Sequence, residues 1–129
     1  MCRLVDLKTG HGDIIQVADI KKDSIQNIID AAQTCNTISE IILFGSSLEE
    51  RCKDNSDIDI AVISNVSRAK LFKSKSYQEF TKQIYLFKMG QDYDILQFNS
   101  LQDIESSKDA VCHDIRRDGK VIYRRACYV

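Results

Sequence analysis

The chain has 129 residues and a formal charge of −1 at neutral pH, with 43% hydrophobic and 29% charged residues. That length suits one domain with its own core, the composition excludes a disordered chain, and the near-zero charge gives no global pull toward a nucleic acid. No apolar run approaches bilayer length, no signal-peptide core opens the sequence, and the five cysteines are scattered without a CxxC pair, so a reducing compartment and a cytoplasmic protein are expected.

One domain over residues 1–129 is expected, with residues 1–20 as an N-terminal hairpin extension and 24–123 as the core. Residues 3–18 read as a β-hairpin, in which Leu4-Val5-Asp6-Leu7 and Ile14-Ile15-Gln16-Val17 flank a turn containing Gly10 and Gly12. His11 at its tip reads as a solvent-exposed turn residue. Asp23-Ser24 supplies a helix N-cap, followed by an apolar stripe of Ile25, Ile28, Ile29 and Ala32. Asn36-Thr37 breaks that helix, and Ile38 to Phe44 forms a strand that delivers Gly45-Ser46 into a short helical turn.

After the spacer Ser47–Ser56 comes Asp57-Ile58-Asp59, opening a strand to Ser64 that is nearly all apolar after Asp59 and therefore central. Cys52, within the spacer, reads as an ordinary thiol, since no His or second Cys is paired with it. Residues 67–88 read as a helix with Leu71, Phe72, Phe80, Ile84 and Phe87 on one side and a solvated lysine face on the other. Asp92 to Phe98 is a further strand with carboxylates early. Ser100 caps a last helix carrying Leu101, Ile104, Val111 and Ile115, with Gly119 as its C-cap and His113 on its surface. Val121-Ile122-Tyr123 closes the chain as a short strand or extended tail.

The chemistry lies in two places. Strand side chains alternate faces, so Asp57 and Asp59 share one face about 7 Å apart, where they repel unless a cation lies between them. Gly45 permits close approach of an anion to the backbone, and the Ser46 hydroxyl with the free N–H groups of the following turn forms a phosphate cradle. Asp94 is the candidate for a third ligand of a divalent cation, and Asp92 is its alternate on the same face.

Phe44-Gly45-Ser46, the ten-residue spacer, Ser56-Asp57-Ile58-Asp59-Ile60 and the later Asp94-Ile95 resemble the signature of the minimal nucleotidyltransferases of the DNA polymerase beta superfamily. The likeness covers residues 24–123. It implies an α+β (α/β) fold, a mixed β-sheet with helices packed on it, with the N-terminal hairpin as an addition. It further implies transfer of a nucleoside monophosphate, AMP above all, from ATP or another NTP with a pair of Mg²⁺ ions. Gly45 and Ser46 would hold the triphosphate, Asp57 and Asp59 would bind both metals, and Asp94 would complete the catalytic metal and assist the acceptor hydroxyl.

A chain this short has no room for an acceptor-gripping domain. By family analogy the acceptor is a partner protein such as a HEPN-type toxin, and the sequence leaves self-association open. Many family members follow Gly-Ser with an Arg-containing segment, where this chain has Ser47-Leu48-Glu49-Glu50. A carboxylate there, about 6 Å from a phosphate at an effective dielectric near 20, would cost about 3 kcal/mol. Arg51 or Lys53 could offset it. That departure motivates the alternative of a weakly active antitoxin-like fold that acts by binding its partner.

Overall fold

The computed structural model describes residues 1–125, so Cys127 lies outside the described residues. Leu4–Lys8 (β1) and Ile14–Ala18 (β2) pair antiparallel as the expected hairpin, with Leu4 opposite Ala18 and Lys8 opposite Ile14. A 3₁₀ turn over Asp19–Lys21 leads into helix α1, Lys22–Ala32. The helix therefore starts earlier than its Asp23-Ser24 signal: Lys21 occupies the N-cap without a side-chain cap, and Ser24 is buried inside the helix. Strand β3 (Ile38–Phe44) and strand β4 (Ile58–Ser64) follow, with a 3₁₀ turn at Gly45–Leu48 after β3.

The helix expected over 67–88 is two helices, α2 (Arg68–Lys73) and α3 (Lys75–Phe87). Ser74 separates them because its hydroxyl accepts the Tyr77 N–H and caps α3, a bond that competes with continuing α2. The break shifts the buried stripe to Leu71, Tyr77, Phe80 and Ile84, leaving Phe72 and Phe87 exposed. The lysines of this segment are exposed, as the solvated-face reading required. After β5 (Tyr93–Phe98) the last helix is likewise split, into α4 (Leu101–Ser106) and α5 (Ala110–Asp118), before β6 (Lys120–Arg124). Ser100 caps α4, and Ile104, Cys112 and Ile115 are buried, whereas Leu101 and Val111 face solvent.

The larger sheet is mixed, in the order β5-β4-β3-β6, with β4 parallel to β5 and antiparallel to β3, which in turn is antiparallel to β6. Alternation divides it into two cores. Ile41, Leu43, Ile58, Ile60 and Val62 meet α1 and α3 on one face, while Ile42, Phe44, Ala61 and Ile63 meet α4 and α5 on the other. Strand β4 is thus covered on both faces, as its apolar run requires.

The hairpin is more than an addition. Leu7 (1% exposed) and Val17 (0%) belong to the first core, and the Gly10 N–H donates to the Ile122 carbonyl at 2.8 Å. His11 is half-buried and paired with Asp13 at 3.0 Å, so it is not the free turn residue expected. No helix among the described residues is long and apolar enough to cross a membrane. Leu7→Ala is expected to cost about 2–5 kcal/mol in urea unfolding, the loss typical of a filled core position. A loss within experimental error would show a hairpin that merely rests on the surface.

Candidate active site

At the end of β3 the chain must leave a buried strand and turn without a side chain in the way. Gly45 does this with φ of +78°, a left-handed conformation open to glycine, and the next residues close the 3₁₀ turn Gly45–Leu48. A Cβ built on Gly45 would lie 2.2 Å from Oδ2 and 3.2 Å from Cγ of Asp59. The anion that the bare Gly45 backbone admits is therefore, first of all, the carboxylate of Asp59.

Asp59 lies opposite Phe44 across β3–β4 and opposite Asp94 across the parallel β4–β5 pair, so the sheet register itself sets two carboxylates side by side. Asp57 precedes β4, which begins at Ile58, so it stands on the exposed end of the spacer rather than on the strand. Asp94 is exposed and Asp59 half-buried. Burial, then the charges of Asp94 and Asp57, lift the Asp59 pKa from 3.8 to about 6. Among the described residues none of the three acids forms an ion pair, and no group of three or more metal-ligating side chains is gathered as a preassembled metal site. Their donor chemistry nonetheless fits a hard divalent cation: oxygen ligands only, mutually repelling, and without an ion pair among the described residues.

The Glu49-Glu50 segment is arranged favourably. The Glu49 carboxylate is held by the Arg51 guanidinium, which in turn raises the Arg51 pKa, and Glu50 is exposed. A cleft of about 730 Å³ opens on the far side of Gly45 from Asp94. Its lining includes Gly45 and Asp59, Gln16 of the hairpin, the bases Arg51, Arg117 and Lys120, and the acids Glu49, Asp114 and Asp118. Arg117 is tied to Asp114 at 3.2 Å and Asp118 at 2.8 Å, whereas Lys120 makes no ion pair among the described residues. Cys52 is buried beside Cys2 and Ala18.

The structure thus brings Gly45, Asp59 and Asp94 together, keeps Asp57 near enough to act on Asp59, and places Ser46 on the same turn. The cleft residues Gln16, Arg117 and Lys120 were not singled out by sequence reasoning, although the last two belong to a visible basic cluster after residue 115.

The family model described as "Polymerase beta, Nucleotidyltransferase" matches residues 26–127. The chain belongs to this family. No curated protein matches it in sequence. Among solved structures, this nucleotidyltransferase-family chain resembles a toxin–antitoxin, MntA-HpeT in a mutant form, at 19% identity over 78% of this chain and 73% of that one, with a TM-score of 0.52. A toxin–antitoxin structure with AMP-PNP is similar at 20% identity, with the same coverages and a TM-score of 0.52. At such identities the likeness is one of fold, and the mixed sheet with helices on it agrees with the α+β expectation.

Gly45→Ala is expected to destabilise the protein by roughly 1–2 kcal/mol through the left-handed backbone alone, with displacement of Asp59 adding to it. In an Asp59→Ala background the clash disappears, so a double-mutant cycle should show positive coupling between the two positions. Asp59 also gives a pH signature in the metal-free protein. Its folded pKa lies above its unfolded value, so the stability it contributes is full below pH 4 and is lost as pH rises to about 6. Asp59→Asn should therefore gain thermal stability relative to the parent between pH 4 and pH 6.5 in EDTA, and hold a constant advantage above that. An advantage that does not change with pH would show an ordinary carboxylate.

Proposed function

We propose that the protein is a Mg²⁺-dependent nucleotidyltransferase that moves AMP from ATP to a partner protein. The observation that carries this reading is the Asp59–Asp94 pair, set opposite each other by the β4–β5 register, with Asp59 against the Gly45 turn. Asp57, Asp59 and Asp94 would hold the metal, with Asp57 drawn in from the spacer end. The bound cation would supply charge neutralisation at the transferred phosphoryl group and at the departing pyrophosphate.

Gly45 and Ser46 offer backbone N–H groups and a hydroxyl to the phosphates. Lys120, together with Arg51 and Arg117 whose charges are partly met, supplies positive potential along the cleft for the distal phosphates. The Glu49 carboxylate is paired with the Arg51 guanidinium, which offsets part of the repulsion that its position suggests. Asp94, on the exposed side of the pair, is the group that can accept a proton from an acceptor hydroxyl. The cellular setting is read by analogy: the neighbouring folds are toxin–antitoxin structures, one with AMP-PNP, which supports a toxin, of the HEPN type by family analogy, as the acceptor. A Mg²⁺ enzyme using ATP in this way would work in the cytoplasm.

The Glu49 carboxylate, which follows the Gly45–Leu48 turn and lines the cleft, favours one second reading, an antitoxin that binds its partner and turns over little. Incubation with ATP radiolabelled at the α-phosphate, Mg²⁺ and the product of the adjacent gene separates the two, because the β- and γ-phosphates leave as pyrophosphate. Transfer of label to the partner, lost by at least a hundredfold in Asp59→Asn, is the expected result. Partner binding with no label transferred would establish the second reading instead.

A further inference from the structure

Lys21 is the largest fully buried side chain, with 0% of its surface exposed, in a chain whose other lysines reach solvent. It ends the 3₁₀ turn that links the hairpin to α1. Its ammonium makes three hydrogen bonds: to the Asp54 carbonyl at 2.9 Å, the Ser56 carbonyl at 2.7 Å and Gln91 Oε1 at 2.6 Å. All three N–H donors are thereby used, and none goes to a carboxylate. Gln91 is itself buried, and its Nε2 donates to the Ser56 carbonyl at 3.1 Å and to the Asp92 carbonyl at 2.7 Å. The Asp92 carbonyl accepts the Ile58 N–H at 3.1 Å as well.

These bonds join two segments that are far apart in sequence and adjacent in function. The Ser56 carbonyl belongs to the peptide that enters Asp57, and Gln91-Asp92 is the run-in to Asp94. We propose that Lys21 is a positioning residue that, through Gln91, clamps the spacer end bearing Asp57 to the start of the strand bearing Asp94. The proposal rests on the reading of these acids as metal ligands. Burying an ammonium among carbonyl dipoles has a free-energy cost that an apolar side chain of the same length would avoid. In return, one atom fixes three backbone or side-chain groups at once. Desolvation lowers the pKa of Lys21, opposed by Cys52, Asp54 and Asp57, with Lys88 adding to the lowering. The clamp acts by geometry: Asp59 feels burial, Asp94 and Asp57, and the spacing among the acids is what the Lys21–Gln91 bonds hold.

The test uses Mn²⁺ alone as the probe, read by electron paramagnetic resonance on the full chain, with Lys21→Met and Gln91→Leu as separate variants. Each should weaken Mn²⁺ binding by about tenfold or more, as loss of groups supporting metal ligands does elsewhere. In transfer assays each should raise the Mg²⁺ concentration for half-maximal rate while leaving the ATP KM at saturating Mg²⁺ nearly unchanged. Phe80→Leu, which loosens the core away from the acids, controls for stability and should bind Mn²⁺ as the parent does. Parent-like Mn²⁺ affinity in a folded Lys21→Met protein overturns the clamp. If Lys21→Met does not fold, parent-like affinity in Gln91→Leu overturns it. A parent that binds no Mn²⁺, or binds it equally well as Asp59→Asn, overturns instead the reading of the acids on which the proposal stands.

Discussion

The structure depends on one contact: a carboxylate held against bare backbone. Asp59 cannot swing away from Gly45, because its strand is buried on both faces by Ile58 and Ile60 on one side and Ala61 and Ile63 on the other. Nor can it escape Asp94, because the parallel register of β4 and β5 fixes that residue opposite. The resulting half-buried negative charge is unfavourable in isolation, and the elevated pKa of Asp59 is the measure of it. A central strand is rigid enough to sustain such strain, whereas a loop would relax it. That is a physical reason for the acid to open β4 and not to lie in the spacer.

The N-terminal segment takes part in this constraint from behind. Leu7 and Val17 pack into the core under α1, and Ile14, Ile15 and Gln16 wall the cleft beside Gly45. The turn that follows sends Lys21 beneath the spacer. A segment that reads as an appendage to a nucleotidyltransferase core is, in this chain, one of the layers on which the acidic residues rest.

Much of this was legible from residues alone, for identifiable reasons. The near-continuous apolar runs in 38–44 and 58–64 dictate two strands covered on both faces, and a glycine after the first of them marks the turn. Asp59 and Asp94 fall at equivalent early positions of two apolar strands, and their adjacency follows once those strands pair. The end of β4 was less legible: Asp57 has the spacing of a strand residue, yet pairing starts only at Ile58, where the Asp92 carbonyl takes the first N–H. The two helix breaks were hidden because Ser74 is unremarkable in a helical pattern until its hydroxyl caps α3, and so is Ser107, whose hydroxyl accepts the Asp109 N–H between α4 and α5. Tyr77 and Cys112 then take the buried places that an unbroken helix would give to Phe87 and Val111. Lys21 left no mark at all, since its partners are two main-chain carbonyls and a glutamine, and a lysine in a polar stretch reads as solvated.

The distribution of charge across Gly45 narrows the kind of ligand that the site can accept. A bare anion would meet Asp59 and Asp94 on one side, while on the other Arg51 and Arg117 are paired with Glu49, Asp114 and Asp118 and Lys120 is the base without an ion pair among the described residues. A ligand that carries both signs in order, a divalent ion at one end and a chain of phosphates at the other, satisfies both halves at once. On the proposed reading its metal would offset the burial and the repulsion that lift the Asp59 pKa, and its phosphates would meet the backbone of the Gly45–Leu48 turn before reaching Lys120. The same ordering leaves the β5 side of the acids, where Asp94 is exposed, as the open approach for whatever molecule receives the group. On the proposed reading, the polarity of the site would therefore separate donor from acceptor.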